Sequence, residues 1–451
     1  MAPDDAASVD ASVETAIPID TSPAPDAGSL AGALSAAGFD VQTATFEAID
    51  LAGCCDTGRS CSGNNPTSPY LAVYAPRGPG QTVANTIERA DGTAGSYRLR
   101  EDEAIVLVGT TPPPAAYFGL TPYLMSRANT AGVQTSVFAS LSETLNDAVI
   151  HVDGATAFSS PFAVVATGDH TTDTSVRTAL EAAGISPSAL STITFDASVV
   201  RFGLDANDDE LGLLFRYALP VDHTAGQAWV ASPGVTVLRV TPRTASSDPL
   251  PSPTARAKGT STESATLSAA LDRLEAAIRA SAAGHSIRDF TVTEGDVDPA
   301  MCIAGLTSCA GDNRDTIYPH TGVFTLGARD SVWVLGVDHA ATGKATYANA
   351  SVYSVEHLAG LVSVTSHEWA GSASVWLPGD PDAASLFAWR IARDCTGDSH
   401  CLEVPTTACP TGAALTAPLT LAFRAYLEPG TGTGPDPATL VRERSFLVQG
   451  P

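Results

Sequence analysis

Lysine is nearly missing from this chain. Of 24 basic residues only Lys258 and Lys344 are lysine, and arginine supplies the rest. A GC-rich genome produces that bias, and so does a saline habitat in which an acidic surface keeps proteins dissolved. Against those cations stand 49 acidic residues, a formal charge of −25. That balance argues against nucleic acid or an anionic membrane as partner, since both would be repelled. No stretch approaches the roughly 18 apolar residues of a membrane-spanning helix. The common catalytic signatures are missing as well. There is no G-x-S-x-G elbow, HExxH, Walker A loop, G-x-G-x-x-G turn or CxxCH haem site. Serine hydrolases of the α/β type, zincins, P-loop enzymes, dinucleotide-binding folds and c-type haem are therefore not indicated. CxxC and Cys/His zinc spacings are absent too.

What the chain does contain is a repeated cysteine frame. Residues 54–70 read CCDTGRSCSGNNPTSPY and residues 302–318 read CIAGLTSCAGDNRDTIY. Six of 17 positions agree at a single offset (302 − 54 = 248), two of them cysteines. Shorter matches follow in the same order: Ser35–Gly38 with Ser281–Gly284, Tyr117/Tyr123 with Tyr347/Tyr353, Gly168-Asp169 with Gly379-Asp380, and Phe215-Arg216 with Phe423-Arg424. A period near 250 residues describes a tandem domain pair and not a solenoid. Each Cys-x6-Cys segment closes a short loop, which suits disulfides Cys54–Cys61 and Cys302–Cys309. If Cys395 pairs with Cys401, then Cys55 must reach Cys409 and tie the first copy to the end of the second. Disulfides imply an oxidising compartment. The expected location is the bacterial cell surface, the periplasm or the medium.

Residues 1–27 are rich in Ala, Asp, Pro, Ser and Thr and read as a disordered acidic tether. Such tethers resemble the segment after the lipidated cysteine of bacterial surface lipoproteins, with a signal sequence already removed. Residues 28–243 form the first expected domain, 244–261 a Pro/Ser-rich linker, and 262–451 the second domain. Each copy opens with a helix; in the second, Leu267, Leu271, Leu274 and Ile278 recur at helical spacing and Gly284 caps the end. Apolar β-branched runs follow at 104–109 and 331–337. Residues 374–380 read as a strand, and 176–184 and 386–394 read as helices. The expected class is α+β: two homologous domains, each a mainly antiparallel sheet with flanking helices, stabilised by disulfides.

Residues kept in both copies read as scaffold, so the search for a site turns to where the copies differ. The second copy carries Arg314-Asp315 before Tyr318-Pro319-His320, then Asp338-His339 and Lys344-x2-Tyr347. Strand alternation would place Arg314, Tyr318 and His320 on one face and Asp315 on the other. Imidazole and carboxylate suit a divalent ion such as Zn, Cu or Ca, so His320 and His339 are the expected metal ligands. Asp315 or Asp338 would act as ligand or base, and Lys344 or Tyr347 would stabilise charge.

The NRDTIY segment, with the strands after it, resembles a signature of uncharacterised exported bacterial proteins that pair two β-rich domains. That resemblance implies the tandem fold and is silent on chemistry. The expected activity is metal-assisted hydrolysis of an extracellular small molecule or polymer by a monomer. The alternatives are a non-catalytic surface protein that binds a glycan or other ligand, with Trp333, Trp369, Trp376 and Trp389 as a binding platform, and a metal-dependent oxidoreductase.

Overall fold

The computed structural model describes residues 26–56, 60–295 and 297–450. Residues 1–25, most of the expected tether, lie outside that range; Asp26 and Ala27 instead begin the first helix, with the Asp26 side chain accepting from the Gly28 N–H. In the N-terminal half the elements are α1 (Ala27–Ala36), β1 (Phe39–Ala48), α2 (Ala52–Asp56), β2 (Tyr70–Pro76), β3 (Thr93–Ala94), β4 (Ala104–Thr110), β5 (Ala115–Ala128), β6 (Gln134–Ser140), β7 (Leu145–Asn146), β8 (Pro161–Thr167), α3 (His170–Ala182), β9 (Leu190–Thr194), β10 (Glu210–Pro220), α4 (His223–Ala231) and β11 (Thr236–Pro242). The C-terminal half contains α5 (Ala265–Ser281), β12 (Ser286–Phe290), β13 (Val292–Thr293), α6 (Pro299–Gly305), β14 (His320–Thr321), β15 (Ser331–Val337), β16 (Tyr347–Ser354), β17 (Ala359–Thr365), α7 (Ser366–Trp369), β18 (Leu386–Ala392), β19 (Cys401–Glu403), β20 (Leu419–Tyr426) and β21 (Arg444–Gln449).

The strand orders of the two halves correspond. The first runs β6-β5-β10-β2-β1-β11-β4-β8-β9; the second runs β17-β16-β20-β14-β13 and β12-β21-β15-β18-β19. Pairing along both paths is antiparallel except at one end, where β8–β9 and β18–β19 are parallel. The difference lies at β1. Its first residues pair with β11 and its last with β2, so one strand bridges two half-sheets. In the second half the same path is broken at residue 291 into β12 and β13, which separates two five-stranded sheets.

Side-chain alternation makes three layers of each half. Ile105 and Leu107 of β4 face Phe118 and Leu120 of β5 inside a β-sandwich. Val106 and Val108 point the other way, onto Leu30, Leu34, Val176 and Leu180 of α1 and α3. In the second half Val332 and Val334 enter the sandwich core, while Trp333, Leu335 and Val337 face Leu267, Leu271, Leu274 and Ile278 of α5. The α5 stripe read from the sequence is therefore the buried one. Each helix layer covers one half-sheet, and the outer face of the other half-sheet meets the opposite half of the chain.

Two readings of secondary structure are corrected. Residues 386–394 are not a helix: Leu386–Ala392 is strand β18, with Phe387, Trp389 and Ile391 in the sandwich core and Leu386 and Ala388 under α5. A strand covered on both faces is apolar throughout and loses the period-2 signal. Residues 374–380 are not a strand: a short 3-10 turn covers Ser372–Val375 and irregular backbone follows. The connector 244–261 has no regular structure apart from one bridge to Asp169, at Pro249, yet it is anchored. Leu250 N–H donates to Gly168 C=O, and Arg256 donates to Thr144 C=O.

Candidate functional site

Two disulfide loops form the contact between the halves, and each is gripped by the other half. The first is closed by Cys54–Cys61 and the second by Cys302–Cys309. Cys61 N–H donates to His357 C=O (2.6 Å) and Gly63 N–H to Leu358 C=O (2.7 Å), between β16 and β17. At the matching place, Cys309 N–H donates to Val137 C=O (2.8 Å) and Gly311 N–H to Phe138 C=O (2.9 Å), on β6. Asn65 donates to the Tyr347 hydroxyl (3.1 Å), and Asn313 donates to the Tyr117 hydroxyl (3.2 Å). Both asparagines also accept a backbone N–H two residues on, from Thr67 and Asp315. That is the turn chemistry expected of Asn in a tight loop. Cys55–Cys409 and Cys395–Cys401 complete the four disulfides, so no described cysteine is free.

The loops share a cleft with two arginines. Along β10, Leu213, Phe215 and Tyr217 point into the sandwich, so Gly212, Leu214 and Arg216 point toward the other half. Along β20, Leu421, Phe423 and Ala425 point inward, which directs Ala422, Arg424 and Tyr426 outward. The Phe-Arg dipeptide common to both halves is thus one core anchor and one interface cation. Arg216 Nη2 donates to Gly311 C=O (2.9 Å) and to the Tyr123 hydroxyl (2.7 Å). Arg424 Nη2 donates to Gly63 C=O (2.5 Å). Each guanidinium lies between two tyrosine rings: Arg216 is 5.6 Å from the centroids of Tyr70 and Tyr123, and Arg424 is 5.5 Å from Tyr318 and 5.8 Å from Tyr353.

Both arginines are buried, 4% and 6% exposed, and neither has a carboxylate within ion-pair distance among the described residues. Arg424 Nε and Nη1 have no hydrogen-bond partner there at all. A guanidinium stays charged in proteins, and a buried donor without an acceptor costs about 1–3 kcal/mol. Both side chains line one cavity of about 530 Å³ between the halves. Its walls come in matched pairs: Leu51 with Val297, Tyr70 with Tyr318, Phe138 with Leu358, Cys61 with Cys309. Two carboxylates also line it. Burial pushes Asp312 up, against hydrogen bonds from the Ser140 hydroxyl and N–H that hold its oxygens. Asp50 is exposed and accepts from the Gly53 N–H.

The residues expected to form a metal site fall in three separate places. His320 is exposed on β14 and lines the edge of the cavity. The segment before it is irregular backbone, so Arg314, Tyr318 and His320 do not share a strand face; Arg314 pairs with Glu143 instead. Asp338, His339 and Lys344 are buried in and after the turn that follows β15, where His339 and Lys344 meet the segment leading into α5. His339 Nδ1 meets Glu263 (2.8 Å) and Nε2 meets Glu443 (3.2 Å). Burial alone would strip its proton, but hydrogen bonds to Glu263 and Glu443 outweigh burial and hold its pKa up at about 10. Both ring nitrogens are therefore donors to carboxylates at opposite ends of the ring. Lys344 Nζ donates to Glu428 (2.5 Å) and to Ser261 C=O (2.7 Å). Asp338 accepts from the N–H groups of Ala340 and Ala341 and closes the turn after β15.

Asp315 and Tyr347 belong to the contact between the halves. Asp315 accepts from the Tyr117 hydroxyl and from Asn146, both at 2.9 Å, and burial raises its pKa to about 7 despite those bonds. Tyr347 stacks on Tyr426 at 4.7 Å, and burial pushes its hydroxyl well above the usual range. Among the described residues, the group of His, Cys, Asp or Glu near enough together to share an ion is Cys54, Cys55 and Cys61. All three of those sulfurs are in disulfides. The tryptophans form no exposed platform: Trp369 stacks on Phe387, Trp333 packs edge-on against Trp376, and Trp389 is buried.

Arg216 and Arg424 are not among the residues expected from the sequence to form a site, because residues common to both copies read as scaffold. A signal was present: in LGLLFRYAL and LTLAFRAYL a single arginine interrupts an otherwise apolar strand.

No protein-family model matches this chain, and no curated protein does. Among solved structures it is similar to an uncharacterized protein from Burkholderia cenocepacia, with 12% identity over 94% of this chain and 88% of that one and a TM-score of 0.43. It is also similar to the VPA0106 protein from Vibrio parahaemolyticus, with 9% identity over 87% and 92% of the two chains and a TM-score of 0.36. Among the described residues no helix is long and apolar enough to cross a membrane.

Proposed function

We propose that this protein binds a small organic anion with an apolar body in the cleft between its halves, and that the halves are diverged tandem copies of one domain. The binding reading rests on one observation: two buried arginines with no carboxylate in ion-pair contact, one of them with two unpartnered donors, face a single, largely apolar cavity. A buried charge is stable when paired and hydrogen-bonded. An anionic ligand would supply the missing acceptors, and the Leu, Phe, Val and Tyr walls would take its apolar part. The volume lies within the 300–1,000 Å³ typical of small-molecule sites, which favour domain interfaces. Four disulfides are compatible with an exported, extracellular or periplasmic setting. The tandem reading rests on the corresponding strand order and on the reciprocal loop contacts.

Metal-assisted hydrolysis and metal-dependent oxidation are less well supported, because His339 is already bonded through both nitrogens and stands apart from His320. Neutral glycan binding is less favoured because the cavity walls are mainly apolar. Calorimetric titration with octanoate and with octanol tests the proposal. Octanoate should bind, octanol should bind at least about tenfold more weakly, and Arg424→Gln should abolish the difference. Equal binding of acid and alcohol, or of neither, would refute it.

A further inference from the structure

Resting on that reading of the cleft, we infer that the preferred ligand carries two separated anionic groups, one for Arg216 and one for Arg424. The arginines occupy corresponding positions on corresponding strands, β10 and β20. Each holds the glycine carbonyl of the opposite disulfide loop and lies between its own pair of tyrosines. The two guanidiniums hold different loops and lie nearest different tyrosines, so the cavity offers two distinct cationic contacts. The same cavity carries apolar side chains from both halves, Leu51, Phe138, Val297 and Leu358. An apolar chain with an anionic group at each end matches a cavity that has two guanidiniums and apolar walls. A ligand with one anionic group would leave the second guanidinium without a counter-charge from the ligand.

The two ends are not equivalent. Arg216 already bonds Thr121, Tyr123 and Gly311, whereas Arg424 has two unpartnered donors. Tyr426 and His320 also line the cavity, and the corresponding positions of the first half are Ala218 and Ala72. The stronger anchor is therefore Arg424, and the ligand binds in one preferred orientation.

Calorimetry of the oxidised full chain with octanoate, suberate and octyl phosphate tests this. Suberate should bind about tenfold or more tighter than octanoate, the worth of one charge-assisted contact. Arg216→Gln should weaken suberate more than octanoate and so close most of the gap between the two acids. If Arg216→Gln does not fold, the wild-type ratio of the two acids decides alone. Equal binding of octanoate and suberate would overturn the two-anion inference and leave the cleft reading intact. Tightest binding of octyl phosphate would overturn it in favour of one doubly charged group. If none of the three binds, the cleft reading fails and this inference fails with it.

Discussion

Replacing His339 with glutamine should change the pH dependence of stability in a defined window. The imidazole is 1% exposed, and its proton is held by Glu263 and Glu443. Its pKa rises from 6.5 to about 10 on folding. A raised pKa means the folded state holds a proton that the unfolded state releases first. The stabilisation is therefore complete below pH 6.5 and disappears as pH climbs to about 10. Three and a half units at 1.36 kcal/mol each give about 5 kcal/mol as an order of magnitude. Such a contribution is comparable with the whole net stability of many domains. Equilibrium unfolding in guanidinium at pH 6.5, 8 and 9.5, with disulfides intact, measures it. His339→Gln should be less stable than wild type at pH 6.5, since two buried carboxylates lose their cation, and the gap should narrow steadily toward pH 10. A gap that stays constant across that range would show that the His339 proton does not hold the cluster together.

Asp315 should act in a lower window. Its pKa rises to about 7 from 3.8, so the wild type loses stability as pH increases between those values, and Asp315→Asn should flatten that slope in the same unfolding assay. Gly311→Ala should destabilise more than Gly63→Ala. Both positions have positive φ, worth about 1–2 kcal/mol of strain for a side chain, but only at Gly311 would the new Cβ meet a ring, that of Phe138 at 2.6 Å. Equal loss of thermal stability in the two variants would contradict the packing described. Peptide mapping without reductant should recover Cys55 joined to Cys409, and Cys409→Ser should cost about 2–5 kcal/mol because that link closes a very long loop; free Cys55 in the wild type would contradict the assignment.

The sequence carried the architecture wherever strands have one core face. Alternation along LGLLFRYAL places Leu213 and Phe215 inward and Arg216 outward, and the α5 stripe names the residues that cover β15. It failed where an element is covered on both faces. Leu386–Ala392 lies between the sandwich core and α5, so its apolar residues fall on both faces and the segment resembled a helix. The candidate site was less legible. His339 drew attention as an unusual polar residue at a strand end, but Glu263, 76 positions earlier, and Glu443, 104 later, turn it into a buried cation. Nothing local to either segment predicts that meeting. Arg216 and Arg424 were visible as isolated charges in apolar strands, yet their significance depends on the partner half.

The reciprocal grip of the disulfide loops has a consequence for the order of events during folding. Asn65 reaches Tyr347 across 282 positions, and Arg424 reaches Gly63 across 361. Contacts so remote in sequence carry a large loop-closure cost and are expected to form late. As the chain emerges from synthesis, the N-terminal half can complete its sandwich while its clasping partner does not yet exist. The cleft, lined by residues of both halves, is therefore complete only once the second half has been made and docked. A ligand that binds there acts on the docking step itself, and it would protect the joined state in proportion to the logarithm of its concentration.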